Sequence, residues 1–154
     1  MAKARKATLK DVPALKKLYF DLMVRFEKMD SFDTQDRAYW KAGAAKQLRK
    51  MIKGREDNFI VLEEGSEIIG FAHLKIIKRE EIFKIKTDPH IEATFIKPKY
   101  RGKGYGKLIF SESAKFLKKK GAKYITVGTH AKDVGANSFW KRMGFKIYNI
   151  KYRK

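Results

Sequence analysis

Apolar residues recur at helical spacing in the first third of the chain, which predicts two helices. The first begins at Asp11 and Pro13. Its apolar face consists of Leu15, Leu18, Tyr19, Leu22, Met23 and Phe26. The second helix is predicted from about Arg37 to Lys53, where Gly54 ends it. A short strand is predicted before both, over residues 4–8.

Alternating apolar and polar residues predict β-strands in the rest of the chain. Residues 58–64 and 67–77 flank a Gly-Ser turn and predict a hairpin. Further strands are predicted over 90–98, 123–129 and 145–152, with one helix after the first of these and a short one before the last. The order β-α-α-β-β-β-α-β-α-β predicts an α/β fold, a mixed and mostly antiparallel sheet flanked by helices. A length of 154 residues suits a single domain spanning 1–154.

Composition excludes several kinds of chemistry. The chain has no cysteine, which rules out disulfides, zinc thiolates and thiol nucleophiles. No apolar run is long enough to span a bilayer, and the first residues lack the apolar stretch of a secretory signal, so we expect a soluble, cytoplasmic protein. The absence of cysteine and the scarcity of glutamine are typical of a thermophile.

The charge is positive and unevenly distributed. The formal net charge is +20, of which residues 1–96 carry +5 (20 Lys+Arg, 15 Asp+Glu) and residues 97–154 carry +15 (17 and 2). Such a field attracts polyanions: nucleic acid, an acidic surface or a multiply phosphorylated cofactor. Frequent lysine for solubility or heat tolerance explains the total equally well, but not the asymmetry.

A glycine loop, RGKGYG over residues 101–106, lies in the basic part between a predicted strand and a predicted helix. It departs from both familiar phosphate motifs, because Leu108 stands where the Walker pattern needs a hydroxyl and Lys107 where the dinucleotide pattern needs glycine. Glycines still allow close approach of the backbone to a ligand, and the first turn of a helix offers free N–H groups to an anion. The loop is therefore either a phosphate site or a tight turn.

Two motifs together resemble the GNAT family of N-acetyltransferases. The family signature [RQ]-x-x-G-x-[GA] is matched by Arg101, Gly104 and Gly106, and an apolar-x-Pro-x-Tyr-Arg run precedes it. Downstream, DVGANSFWKRMGF is similar to the family's N-x-x-A-x-x-[FL]-Y-x-x-x-G-F helix. The resemblance spans nearly the whole chain and implies a splayed cofactor cleft between two central strands.

The resemblance also implies acetyl-CoA as cofactor, with no metal. Strand residues would contact the pantetheine arm, and backbone N–H groups of the glycine loop would hold the pyrophosphate. The implied cofactor-binding residues are Thr94, Phe95, Ile96, Arg101, Gly102, Lys103, Gly104, Tyr105, Gly106, Lys107, Asp133 and Trp140. The chain departs from the family at two of them, because Trp140 replaces the usual tyrosine acid and Asp133 the usual asparagine. Core packing is the alternative role for Trp140.

The acetyl transfer implied here is direct attack of an amine on the thioester, which requires a base because a protonated amine is no nucleophile. Glu92 is the candidate general base: strand alternation groups it with His90, Thr94 and Ile96. His90 is a second candidate, and a surface ion pair is the structural alternative for Glu92.

The family places the acceptor beside the loop between the first two helices. Here Asp30, Asp33 and Asp36 predict a cationic amine: a polyamine, an aminoglycoside-like molecule, or an amine of a peptide or protein. Phe32, Tyr39 and Trp40 could line such a pocket. Helix caps and turns are the ordinary alternative for these aspartates.

Two other functions compete with acetyl transfer. A catalytically silent acyl-CoA-binding module would explain the missing tyrosine. A basic nucleic-acid-binding protein would explain the charge, but the aromatic residues fall on predicted core faces and form no stacking platform. The resemblance also allows a homodimer.

Overall fold

The computed structural model describes residues 1–154 and contains one five-stranded sheet. Its strands are β1 (Ala2–Lys6), β2 (Asp57–Glu64), β3 (Glu67–Lys78), β4 (Thr87–Ile96) and β5 (Thr126–Val127). They lie side by side in chain order, with antiparallel pairing from β1 to β4 and parallel pairing of β4 with β5. The predicted mixed, mostly antiparallel α/β fold is confirmed.

Helices cover both faces of the sheet. They are α1 (Val12–Met29), α2 (Arg37–Ala42), α3 (Ala44–Lys53), α4 (Tyr105–Lys119) and α5 (Val134–Arg142). On one face, Leu15 and Leu18 of α1 pack with Phe59 and Phe71 of the sheet. On the other face, Ile109 of α4 and Trp140 of α5 belong to a second apolar cluster with the strands. The sheet thus separates two apolar layers.

The predicted second helix is two helices in the structure, and Gly43 lies between them. A Cβ at this position would lie 3.2 Å from the Tyr39 ring, so a larger residue here would require a small shift of that half-exposed side chain. Asp36 accepts hydrogen bonds from the backbone N–H groups of Ala38 (2.9 Å) and Tyr39 (3.3 Å) and thereby caps α2.

The predicted last strand, 145–152, is not a strand in the structure. Phe145 packs against the second apolar cluster, but the apolar side chains after it stay exposed, including Ile147, Tyr148 and Ile150. A strand needs a partner ladder, and the preceding strand is itself only two residues long instead of the predicted 123–129. The prediction of this strand is therefore wrong, and β5 forms the edge of the sheet.

No helix has the length and apolar character needed to cross a membrane.

Candidate functional site

The edge of the sheet opens between β4 and β5. The two strands pair only through His90 with Thr126 and Ile91 with Val127. Beyond Ile91, the side of β4 that faces β5 has no strand partner as far as Ile96. A cleft therefore forms beside the C-terminal half of β4, in accordance with the splayed geometry expected, although β5 is an edge strand and not a central one.

A cavity of about 740 Å³ occupies this cleft, a size typical of small-molecule sites. We call it the main cavity. Its walls come from the end of β4, the glycine loop, and one face of α5. All the predicted cofactor-binding residues except Lys103 line it. The ammonium of Lys103 instead lies 5.5 Å from the centre of the Tyr100 ring.

The glycine loop presents unpaired donors at this cavity. Gly102 and Gly104 have φ angles of 78° and 81°, in the left-handed region that favours glycine. Each of the backbone N–H groups from Gly102 to Gly106 lacks a hydrogen-bond acceptor within the protein. Because α4 begins at Tyr105, its dipole adds partial positive charge at the same place. The loop can therefore hold a phosphate group.

Arg101 fixes the start of the loop. Its Nε donates to the carbonyl oxygen of Ile96 at 2.8 Å, and its guanidinium lies 5.4 Å from the centre of the Phe95 ring. Burial lowers the pKa of Arg101, and the positive charge of Arg25 lowers it further. Two guanidinium groups thus approach the same wall of the main cavity.

The residues before the loop are held by Glu67 of β3. Its carboxylate accepts from Lys97 Nζ at 2.5 Å and from the Tyr100 hydroxyl at 2.7 Å. These hydrogen bonds lower the pKa of Glu67 to about 2. The hydroxyl of Tyr105 is likewise committed to the carboxylate of Glu64. The hydroxyl groups of Tyr100 and Tyr105 therefore connect the loop to the sheet through hydrogen bonds.

Asp133 and Trp140 form the α5 side of the cavity. Asp133 Oδ1 accepts from the backbone N–H of Ala136 at 3.1 Å, which caps α5, and from Arg25 of α1 at 2.9 Å. Trp140 is only 7% exposed and packs edge-on against Phe110, Phe139 and Phe145. Trp140 thus serves the core and lines the cavity at once.

Thr94 carries an unsatisfied polar atom in the cavity wall. Its Oγ1 is buried and has no hydrogen-bond partner, alone among the buried side-chain oxygens and nitrogens. Buried hydroxyls are almost always paired, since an unpaired one costs about 1–3 kcal/mol. A missing partner at a cavity wall fits a ligand that supplies it.

A β-bulge interrupts the predicted alternation of β4. His73 pairs with Ala93 and Leu74 with Ile91, so Glu92 is an extra residue in the strand. The predicted grouping of Glu92 with Thr94 and Ile96 is therefore wrong. Thr94 and Ile96 line the main cavity, whereas Glu92 lies near Lys75 (3.8 Å), on the other face of the sheet. A one-residue insertion reverses the side on which every following residue lies.

Hydrogen bonds around His90 orient its ring toward Glu92. Thr126 Oγ1 donates its single proton to Asp88 Oδ1 at 2.5 Å, since a carboxylate only accepts. The same oxygen must then accept from Nδ1–H of His90, 2.7 Å away. The neutral ring consequently has an unprotonated Nε2, which lies 3.6 Å from Glu92 Oε2. Glu92 and His90 together form a pair of proton acceptors at the bulge.

The loop between α1 and α2 carries acidic groups near the C-terminal residues. His130 Nε2 lies 3.7 Å from Asp30 Oδ2 and 3.9 Å from Asp33 Oδ2. Arg153 donates to Asp30 at 2.7 Å, which lowers the pKa of Asp30 to about 2. The Arg153 guanidinium also lies 4.6 Å from the centre of the exposed Phe32 ring. Asp30 is thus already paired with Arg153 and accepts from the backbone N–H of Phe32, and Asp36 is a helix cap, whereas Asp33 has only His130 beside it.

Sequence motifs did not reveal all the residues that line the main cavity. Leu22, Arg25, Gly135, Arg142 and Met143 also contribute. Arg25 belongs to α1, 108 residues before its partner Asp133, so nothing in the local pattern connects the two. Elsewhere in the chain, no group of three or more His, Asp or Glu side chains could hold a metal ion.

The element order and the cleft beside β4 define an α/β protein of the acetyltransferase fold. The chain belongs to the Acetyltransferase (GNAT) family, whose sequence model matches residues 16–145.

Two relatives by sequence are archaeal. An uncharacterized N-acetyltransferase of Methanocaldococcus jannaschii is 25% identical over 147 residues, covering 92% of this chain and 59% of that protein. A spermidine N(1)-acetyltransferase of Thermoplasma acidophilum is 32% identical over 83 residues, covering 53% of this chain and 46% of that protein. The matched region is thus roughly half of each of these relatives.

A solved structure shares the fold over almost the full length. It is the PaiA N-acetyltransferase of Thermoplasma acidophilum in complex with coenzyme A, with a TM-score of 0.75 and 21% identity. The match covers 98% of this chain and 93% of that one.

Proposed function

We propose that residues 1–154 act as one N-acetyltransferase domain that moves an acetyl group from acetyl-CoA to a primary amine. The observation that carries this proposal is the row of free N–H groups from Gly102 to Gly106 at the main cavity. In a chain of the GNAT family, such donors suit the pyrophosphate of coenzyme A. The cytoplasmic location stays a prediction from composition.

The cofactor would be held along the whole cavity. Backbone N–H groups of the glycine loop would bind the pyrophosphate. Thr94, Phe95 and Ile96 would contact the pantetheine arm, and Thr94 Oγ1 would gain the partner it lacks. Trp140 and Asp133 would form the opposite wall. Bound acetyl-CoA supplies an activated acyl group on a thiol leaving group.

Glu92 takes the proton of the attacking amine in this proposal. The amine nitrogen forms a bond to the carbonyl carbon of the acetyl group, and the carbon–sulfur bond breaks. Glu92 first takes a proton from the ammonium group, directly or through one water, which gives the neutral amine that attacks, with the unprotonated Nε2 of His90 beside it. The second N–H proton passes to solvent after the new bond has formed. The amine would reach the carbonyl from the face of the sheet where Glu92 lies, opposite the side chains of Thr94 and Ile96.

The leaving thiolate receives no proton from a tyrosine in this scheme. Trp140 occupies the family's tyrosine position, and indole N–H is not a practical acid. Tyr100 and Tyr105 are committed to Glu67 and Glu64. A thiol has a pKa of about 8.5, so its thiolate can leave without an acid at neutral pH and take a proton from solvent.

The acceptor we propose is a cationic amine, with a polyamine first. Asp30, Asp33 and the ring of Phe32 offer charge and a cation–π surface, on which Arg153 lies in the free protein. A relative at 32% identity over half of this chain is named for spermidine. Aminoglycosides and lysine-containing peptides carry the same ammonium chemistry and belong in the same test.

The test is calorimetric titration with acetyl-CoA and with CoA lacking its 3′-phosphate, at two salt concentrations. Release of free thiol is then followed with spermidine, an aminoglycoside and a lysine peptide. Binding with turnover supports the enzyme. Binding without turnover on any amine would favour a silent acyl-CoA-binding module. No binding, with salt-dependent binding of nucleic acid instead, would overturn the proposal.

A further inference from the structure

Arg25 and Asp133 form an ion pair inside the wall of the main cavity. Arg25 Nη2 lies 2.9 Å from Asp133 Oδ1, and both residues line the cavity. The Asp133 side chain is 7% exposed, whereas that of Arg25 is 37% exposed. The pair is the contact through which α1 reaches the start of α5.

The carboxylate of Asp133 creates an electrostatic problem for the proposed ligand. Coenzyme A carries several phosphate charges, and a buried carboxylate that lines the same cavity repels them. The cap of α5 requires only an oxygen acceptor, which a neutral asparagine also provides. A negative charge at this position is tolerable only with a neutralising cation, and Arg25 is the residue that donates to it.

We infer that Arg25 is a positioning residue for the cofactor, which acts by neutralising Asp133 on the cavity wall. This inference rests on the proposed function. Arg25 lies outside both sequence motifs of the family and outside the glycine loop. Where the family usually has one neutral asparagine, this chain thus has two side chains of opposite charge: Asp133, which accepts the hydrogen bond, and Arg25, which donates it.

The positive charge of Arg101 also supports a role for Arg25 in binding the cofactor. Arg101 lies near enough to Arg25 that the charge of Arg25 lowers the pKa of Arg101. Arg25, Arg101 and Asp133 all line the main cavity, so two positive charges face a single carboxylate, whose own charge raises the pKa of Arg101. Such an arrangement costs stability in the free protein and is relieved by a bound anion.

The test is a double-mutant cycle with Arg25→Gln and Asp133→Asn, with the Kd for CoA and the thermal midpoint measured for each variant. Arg25→Gln alone should weaken CoA binding by about tenfold, because it leaves a buried charge unpaired. In the Asp133→Asn background, the same change should weaken binding less than threefold. Arg37→Gln is the matched control, since it breaks a 2.9 Å pair with Glu27 outside the cavity.

Each outcome has one meaning. If Arg25→Gln weakens binding equally in both backgrounds, Arg25 contacts the cofactor by itself and neutralisation of Asp133 is not its role. If the thermal midpoint falls but the Kd stays, the pair is structural only and the inference is overturned. If the unaltered protein binds no CoA, the proposed function fails first. The unaltered protein is therefore measured before the variants.

Discussion

Glu92 Oε2 lies 3.6 Å from Nε2 of His90, at the bulge where β4 begins to separate from β5. The hydrogen bonds from Asp88 through Thr126 to His90 leave that Nε2 without a proton in the neutral ring. Two acceptors of a proton therefore lie side by side on the face of the sheet opposite the side chains of Thr94 and Ile96, which line the main cavity. A bulge is a common way to direct a side chain toward a site.

Glu92→Gln should lower kcat by about 10²-fold or more, because a glutamine cannot accept the amine proton. The Kd for CoA should remain the same, since Glu92 is not part of the cavity wall. Single-turnover rates across pH measure the loss of the basic group. Glu112→Gln is the control, because Glu112 forms only a surface pair with Lys115 on α4.

A rate within threefold of the unaltered enzyme would remove Glu92 as base. His90→Asn then becomes the decisive variant, because it removes the proton acceptor that lies beside Glu92.

Gly104→Ala should weaken CoA binding by about tenfold or more. A Cβ there would meet no protein atom within 4 Å, so it would occupy the space through which a phosphate approaches the backbone. Gly65→Ala is a matched control, because Gly65 also has a positive φ, 61°, with open space around it, in the turn between β2 and β3. Both variants should lose about 1–2 kcal/mol of stability.

Calorimetry and thermal melts separate the two effects of these glycine variants. Equal Kd values for Gly104→Ala and Gly65→Ala would mean that the glycine loop is only a turn.

Thr94→Val should have effects of opposite sign on stability and on binding. The free protein should be unchanged or more stable, by up to about 1–3 kcal/mol, since the variant removes an unpaired buried hydroxyl. CoA affinity should fall about fivefold, the value of one hydrogen bond. Thr126→Val is the control, because its hydroxyl has two partners and its loss should destabilise the protein. Loss of stability in Thr94→Val would show that its hydroxyl is satisfied.

Periodicity predicted the helices and the main strands because burial alone determines them. The apolar face predicted for α1 is buried, with Leu15, Leu18 and Leu22 at most 3% exposed. The glycine loop could be predicted because helix initiation and positive φ angles leave a local signature in residue types. The apolar periodicity and the residue types of the glycine loop are both contained in short segments of the sequence.

Features that depend on distant partners could not be predicted. The bulge at Glu92 depends on the register with β3, and no residue type marks it. The alternation of residues 145–152 is typical of a strand, but β5 offers a ladder of only two residues. The Arg25–Asp133 pair joins residues 108 positions apart. Each requires the tertiary structure.

The stability of the protein should fall as the pH decreases below about 6.5, because His73 is buried and neutral. Burial is the main cause that lowers the pKa of His73. Nε2 lies 2.7 Å from Asp57 and Nδ1 lies 3.0 Å from the Tyr19 hydroxyl. The unfolded chain therefore binds a proton more readily than the folded one. Stability is complete above pH 6.5 and falls from there toward the lowered pKa.

Thermal midpoints between pH 8 and pH 5 measure this effect, at most about 1.4 kcal/mol per pH unit. His73→Gln should flatten the dependence, because glutamine keeps a donor and an acceptor but does not titrate. An equally steep dependence in His73→Gln would assign it to other groups, of which His90 and His130 are the remaining histidines.

Arg153→Ala should lower the KM for spermidine by about two- to fivefold. Arg153 forms a 2.7 Å hydrogen bond with Asp30 and covers the ring of Phe32, so it occupies the surface that we propose for the ammonium group of the acceptor. The pair lies at the protein surface, where solvent screening keeps the effect of its loss small. Neither kcat nor the Kd for CoA should change. Lys154→Ala removes the same charge without the contact and should leave KM unchanged. A higher KM in Arg153→Ala would instead make Arg153 part of the acceptor site, because the acceptor would then need its guanidinium.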